Sequence, residues 1–257
     1  MSVTKQLPVL EHYCYMDCPL CGRTNISVVH GMVSVSPEEL AKVPDKGYAF
    51  CNCKNIWYTN WSNIEQQSYF EDNYAEIHQL DRHKKDWEKF WKHYAPMLEE
   101  KGNGGKKLLD IGCISDFLID AAAEDGYMVT GTDFVQHATS KHRFIVGDFD
   151  KMEIEGKFDV IFANHVLEHF HYPLRAIKRL YEMLETGGLL FVSMPDPFQI
   201  YWEVYTQWHN WALHQHYIMW DMDSFCDEME DVGFNTVIKK RNLDIRWLQD
   251  YHLLFKK

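Results

Sequence analysis

The chain has 257 residues, 46% of them hydrophobic and 25% charged, which excludes a disordered polymer, a collagen-like repeat and a short disulfide scaffold. No run reaches the roughly 18 apolar residues that a membrane-spanning helix needs. Met1-Ser2-Val3-Thr4-Lys5 lacks the basic and apolar blocks of an export signal, so a soluble, cytoplasmic protein is expected. Acidic residues outnumber basic ones by 38 to 26, a net charge of −12; phosphate contacts need the opposite excess, which argues against a nucleic-acid substrate.

Residues 1–62 read as a small metal module. The chain holds seven Cys, an odd number with no export signal, which speaks against a disulfide framework. Cys18-Pro19-Leu20-Cys21-Gly22 has the spacing of a zinc knuckle, a tight turn that points two thiolates at one ion. Cys51-Asn52-Cys53 follows about 30 residues later, and four thiolates would close a structural zinc site. The second pair is one residue shorter than usual, so Cys14, His12 and His30 stand as substitute ligands. Free, partly buried thiols are the alternative.

Residues 63–103 read as a helical linker region. Trp87, Phe90, Trp91, Tyr94 and Leu98 recur at spacings of three and four, the stripe of an amphipathic helix. Lys101-Gly102-Asn103-Gly104-Gly105 breaks it and marks the boundary to a domain over 104–257. Strand and helix signals then alternate: apolar runs at 107–110, 128–133, 144–148, 158–163 and 189–194, with helices through Phe117–Ala122 and Leu174–Leu184, the latter closed by Thr186-Gly187-Gly188. Phe225, Met229 and Val232 mark one more helix, and Thr236–Lys239 and His252–Lys256 two closing strands. This order predicts an α/β fold with a mostly parallel sheet and helices on both faces.

In such a sheet ligands bind at the carboxyl ends of the strands. Asp110, Asp133 and Asp148 stand at three successive ends, and Asp133 lies 21 residues after Gly112, the distance at which a carboxylate meets ribose hydroxyls. Aspartate also ends strands and caps helices for local reasons, but three at this spacing outweigh that. No Gly-x-Gly-x-x-Gly follows the first strand, so a hydride-transfer enzyme fits less well.

The segments Leu108-Leu109-Asp110-Ile111-Gly112-Cys113, Gly131-Thr132-Asp133-Phe134, Gly147-Asp148-Phe149, Phe158 through Val166-Leu167-Glu168-His169, and Thr186-Gly187-Gly188-Leu189-Leu190 resemble, in order and spacing, the S-adenosylmethionine-dependent methyltransferases with the Rossmann-like fold. The resemblance covers roughly residues 106–194 and implies S-adenosylmethionine as cofactor, a Rossmann-like sheet and an antiparallel closing strand. It implies cofactor contacts from Asp110, Gly112, Asp133, Phe134, Asp148, Phe149 and Asn164. Gly112 would admit the methionine part, Asp133 would hold the ribose, Asp148 the adenine amino group and Phe149 the adenine ring, with Asn164 and His165 near the sulfonium. One departure stands out: Ile114 and Asp116 replace the second and third glycines of the family's first loop. A cysteine-rich module before such a domain is also similar to a subgroup that methylates sugars and other small natural products, with Gly47-Tyr48-Ala49-Phe50-Cys51 as the matching phrase.

Methyl transfer from a sulfonium is an in-line displacement that needs alignment, exclusion of water and often removal of a proton from the acceptor. Histidine suits the last task. His169, His214 and His216 are the candidate general bases; for His169 a purely structural role is the equal alternative. Glu168 with His169 could instead hold a divalent metal, as in some related O-methyltransferases, though two ligands do not suffice to assign one. Phe198, Tyr201, Trp202, Tyr205, Trp208 and Trp211 recur at helical spacing inside an insertion over 196–222. They would form an aromatic lid over the pocket, the contact of a homo-oligomer, or ordinary core. The expected function is methyl transfer to a small-molecule acceptor, with a sugar or nucleotide-linked sugar in view; the alternative is a degenerate methyltransferase fold serving as a binding or assembly module, on the strength of Ile114 and Asp116.

Overall fold

Neighbouring residues in the apolar runs face opposite sides of a sheet, and the two sides pack into separate cores. The structure is a computed structural model and describes residues 26–29, 48–51, 56–58, 84–135, 141–170, 172–196, 216, 218–242 and 250–257. Leu108, Val160, Phe162, Leu189, Phe191 and Leu254 pack with Trp91, Leu98, Leu118 and Ala122 on one face. Leu109, Ile161, Ala163, Leu190, Val192, Leu253 and Phe255 pack with Ala176, Ile177, Leu180, Phe225 and Met229 on the other. A strand buried on both faces reads as a continuous apolar run, which is how these segments are written.

The large sheet consists of β4 (Lys107–Ile111), β5 (Met128–Asp133), β6 (Arg143–Val146), β7 (Phe158–Asn164), β8 (Leu184–Pro195), β10 (Asn235–Asn242) and β11 (Asp250–Lys256). Their order across the sheet is β10-β11-β8-β7-β4-β5-β6. The pairs β4–β5, β4–β7, β5–β6 and β7–β8 are parallel, while β11 runs antiparallel to both β8 and β10. The mostly parallel sheet with an antiparallel closing strand is therefore as expected. The helices α1 (Lys84–Lys101) and α2 (Phe117–Glu124) cover one face, and α3 (Pro173–Met183) and α4 (Met222–Val232) the other. None of these helices is long and apolar enough to cross a membrane.

Local chemistry explains several boundaries. The stripe from Trp87 to Leu98 becomes α1, with Trp91, Tyr94 and Leu98 buried. The Gly-rich break after α1 is clamped rather than loose: Asp159 accepts from the Lys107 N–H at 2.9 Å and from the Asn103 amide at 2.9 Å. Gly105 lies so close that a Cβ there would meet the Asp159 carboxylate at 2.1 Å. At its N-terminus α4 is capped by Asp221, which accepts from Ser224 N–H, and at its end Gly233 takes φ +115°, a left-handed cap that favours glycine. One boundary differs from expectation. Leu184, read as helix, already pairs with Phe158 in the sheet, and the Thr186–Gly188 stretch lies within β8, where the pairing with β7 is irregular. Backbone bonds from Gly187 N–H to Lys257 and from Lys257 N–H to Gly188 fasten it to the chain end.

A second, smaller sheet has the order β1-β2-β3-β9, all antiparallel, from β1 (Ile26–Val29), β2 (Tyr48–Cys51), β3 (Ile56–Tyr58) and β9 (Ile218–Met219). Its last strand comes from the insertion expected to be a lid. Residues 197–215 of that insertion, with the aromatic stripe, and the 63–83 part of the helical region lie outside the described residues.

Candidate functional site

The carboxyl ends of β4, β5 and β7 converge on one cavity, as the topology of an open parallel sheet requires. It contains about 580 Å³ of open space, and its walls include Gly112, Asp133, Phe134, Phe149, His165 and His169. A second hollow of about 510 Å³ continues past Gly112 toward α1 and is lined by Trp87, Asp110, Ile114, Asn164 and His165. Gly112, Ile114 and His165 border both.

The first loop is built around Gly112. Its φ is +67°, and a Cβ there would meet Val166 Cγ2 at 2.8 Å. Its N–H and that of Cys113 both donate to Thr132 O, at 2.8 and 3.0 Å, folding the loop onto β5. Ile114 does not adopt the left-handed backbone that glycine usually supplies; among the described residues only His165 does so without being glycine. The isoleucine lines both hollows. Asp116 caps α2 with helical φ and ψ and no side-chain cap bond, and its Oδ1 is buried without a hydrogen-bond partner among the described residues.

Of the expected cofactor contacts, Gly112, Asp133, Phe134 and Phe149 meet at the first cavity and Asp110 and Asn164 at the second. Asp133 Oδ1 accepts from Phe134 N–H at 2.6 Å. Phe149 is buried between Phe170, 5.3 Å away, and the Arg179 guanidinium. Burial first, and then the charge of Asp133, push the Asp110 carboxyl well above the usual carboxylate range. Asn164 Oδ1 accepts from the Ser193 hydroxyl at 3.0 Å while its amide nitrogen is buried without a partner among the described residues. Asp148 is not among the lining residues: it accepts from Asp150 N–H at 2.9 Å and pairs with Lys151 at 2.8 Å.

Beyond β7 the chain enters a single 3-10 turn, Leu167–His169. Glu168 is fully buried there, with both carboxylate oxygens lacking a hydrogen-bond partner among the described residues. The ligand atoms of Glu168, His169 and His216 lie within 4.8 Å of one another, and the two imidazole rings sit edge to face, 4.7 Å apart. His216 is buried and His169 half-buried at the cavity wall. Two of the three histidines expected as bases are therefore in contact. His214 lies outside the described residues, as do Cys18, Cys21 and Cys53; Cys51 ends β2.

Sequence reasoning missed the network behind this cluster. His165, held at φ +48°, places Nδ1 3.4 Å from Glu168 and Nε2 3.3 Å from Asp250. Asp250 lies 3.1 Å from His252 Nε2, and His252 Nδ1 is 2.5 Å from the Tyr94 hydroxyl on α1. With Nε2–H facing Asp250, Nδ1 accepts the Tyr94 proton. Burial alone would lower the His165 pKa, but Asp250 and Glu168 outweigh it and raise it to about 9. Burial alone would raise Glu168, but His165, His169 and His216 outweigh it and hold the carboxyl down at about 2. At neutral pH the cavity edge thus carries an imidazolium between two carboxylates. Asp250 and His252 are two apart on one strand and share a face, the one signal in the sequence that could have drawn attention to them.

Comparison with known proteins agrees with this construction. Residues 79–239 match the family model of a methyltransferase domain. Over 115 residues the chain is 37% identical to a ubiquinone biosynthesis O-methyltransferase of Glaesserella parasuis, covering 37% of this chain and 49% of that protein. Over 108 residues it is 32% identical to the Pseudomonas aeruginosa protein of the same name, covering 37% and 47%. The chain therefore spans about half the length of the curated relatives it matches. Among solved structures it is similar to the Burkholderia thailandensis 1,6-didemethyltoxoflavin-N1-methyltransferase with S-adenosylhomocysteine bound (TM-score 0.59, 16% identity, 90% of this chain and 94% of the other). It is also similar to magnesium protoporphyrin IX methyltransferase from Synechocystis (TM-score 0.56, 16% identity, 75% and 98%). At such identities the structures speak for the fold alone. With the sheet order and strand-end residues above, the family match places the chain among the S-adenosylmethionine-dependent methyltransferases of the Rossmann-like fold, and the chain belongs to that family.

Proposed function

We propose that this chain transfers the methyl group of S-adenosylmethionine to a small-molecule acceptor, with His169 taking the acceptor's proton. The observation that carries the reading is the contact of His169 with His216 and the buried Glu168 at the wall of the cavity that Gly112 and Asp133 also line. The cofactor supplies the sulfonium-bound methyl group. Asp133 would accept from its ribose hydroxyls, Phe134 and Phe149 would wall its adenine, and Asp110, Asn164 and Trp87 would surround the methionine tail. His165 stands at the junction of the two hollows, where the reacting sulfur would lie. His169 then accepts a proton from a hydroxyl or acidic carbon as the new bond to methyl forms, while His216 packs edge to face against its ring and the nearby Glu168 carboxylate balances the charge it gains.

The names of the relatives above favour oxygen as the methylated atom; neither carries a sugar in its name, so the sugar expectation keeps only the cysteine-module resemblance. Cys18, Cys21, Cys51 and Cys53 suit one structural zinc, since Cys51 ends β2 and Cys53 falls between β2 and β3 in the sequence. Elemental analysis of protein purified without chelator is expected to give one zinc per chain; none would remove this part of the reading.

A second reading, a methyltransferase fold retained as a binding or assembly module, is favoured by Ile114, whose residue walls both hollows where the family carries glycine. Calorimetric titration with S-adenosylhomocysteine separates the two: single-site binding supports the enzyme, and no heat together with no rise in melting temperature at saturation supports the module.

A further inference from the structure

The N-terminal sheet has no place in the chemistry so far, yet one of its strands belongs to the site. β9 follows His216 by two residues, and it packs on both β3 and the 167–169 turn that carries Glu168 and His169. β9 is two residues long, pairing Ile218 with Trp57 and Met219 with Ile56. So short a strand holds its place only through its neighbours, because two ladder pairs offset little of the entropy of ordering the chain. From the other side Ile218 and Trp220 enter the core of the large sheet. That anchors the segment in depth, and β3 is the element that fixes its backbone along the edge.

We propose that the N-terminal sheet is a positioning element of the active site: by adding β9 to β3 it seats the His216 ring against His169. The inference rests on the reading of Glu168, His169 and His216 as the proton-accepting cluster. It gives the cysteine-rich module a task in the reaction, that of fixing one wall of the base cluster.

The test uses the full chain labelled at histidine rings and reads the nuclear Overhauser effect between His169 and His216, with calorimetric S-adenosylhomocysteine affinity measured in parallel. In wild type the effect is expected, since the rings are 4.7 Å apart. Trp57→Pro removes a ladder N–H and clashes within β3; it is expected to abolish the effect while leaving affinity within about three-fold. Trp57→Val, which keeps the ladder, is expected to restore it, separating the role of the pairing from that of the indole. Should Trp57→Pro lose affinity for S-adenosylhomocysteine altogether, Trp57→Gly weakens the strand without removing the N–H and is read the same way. Persistence of the effect in the variant that retains affinity would overturn the inference and leave the cluster standing. Absence of the effect in wild type would overturn the cluster, and the inference with it.

Discussion

The two halves of the site are assembled in opposite ways. The half proposed to hold the cofactor comes, apart from Trp87 on α1, from one run of the chain, residues 110–165, in which parallel strands deliver their last residues to the same edge. The half proposed to take the acceptor's proton, with the network behind it, draws on Tyr94 from α1, Glu168 and His169 from the turn after β7, His216 before β9, and Asp250 and His252 from β11. The first half follows from topology, because parallel strands joined by helices bring their carboxyl ends together whatever the side chains. The second exists only when distant segments close on one another. The two halves should therefore fail separately when mutated.

The largest expected effect is on chemistry. His169→Ala should lower turnover by about 10²–10⁴-fold on an acceptor that supports it, with S-adenosylhomocysteine affinity nearly unchanged; an equal loss of both would merge the two halves. Next is Asp133→Ala, which removes the expected charged partner of two ribose hydroxyls and should weaken S-adenosylhomocysteine by about 100-fold or more, erasing its thermal shift.

A smaller effect concerns pH. The His165 pKa is raised from 6.5 to about 9, so its pairing stabilises the fold fully below pH 6.5 and loses that contribution as pH rises through 9. The Glu168 pKa is lowered from 4.5 to about 2, so its contribution is present above pH 4.5 and lost as pH falls toward 2. Melting curves of wild type and His165→Gln should differ by a few degrees near pH 6 and converge above pH 9. A difference that grows with pH would contradict the imidazolium assignment. The smallest effect is expected from Ile114→Gly, which clears both hollows and should tighten S-adenosylhomocysteine by a few-fold; weaker binding would mean that the isoleucine packs the loop into its working shape.

The same division governs what could be read from the sequence. The strands and helices after residue 106 were legible because each carries its own period, and Asp110, Gly112 and Asp133 because their spacing reflects a topological rule. Asp148 was legible as a strand-end acid, but its side chain is engaged with Asp150 and Lys151, a choice made by the turn rather than by any motif. Leu184 continues the apolar stripe of α3 in the sequence, whereas the pairing with Phe158 draws it into the sheet. The link from His165 through Asp250 to His252 and Tyr94 spans 85 and 158 residues in its long steps, and no local pattern records it. The pairing of β3 with β9 was hidden for the same reason: each is a short run whose partner lies far along the chain.

The account depends most on where the cofactor's sulfur lies relative to the imidazoles. A crystal structure with S-adenosylhomocysteine bound addresses this directly. The account expects the ribose on Asp133, the adenine beside Phe149 and the sulfur turned toward His165 and His169. A ligand elsewhere on the chain, or a sulfur facing away from His169 with the Ile114 loop closed over Gly112, would contradict it.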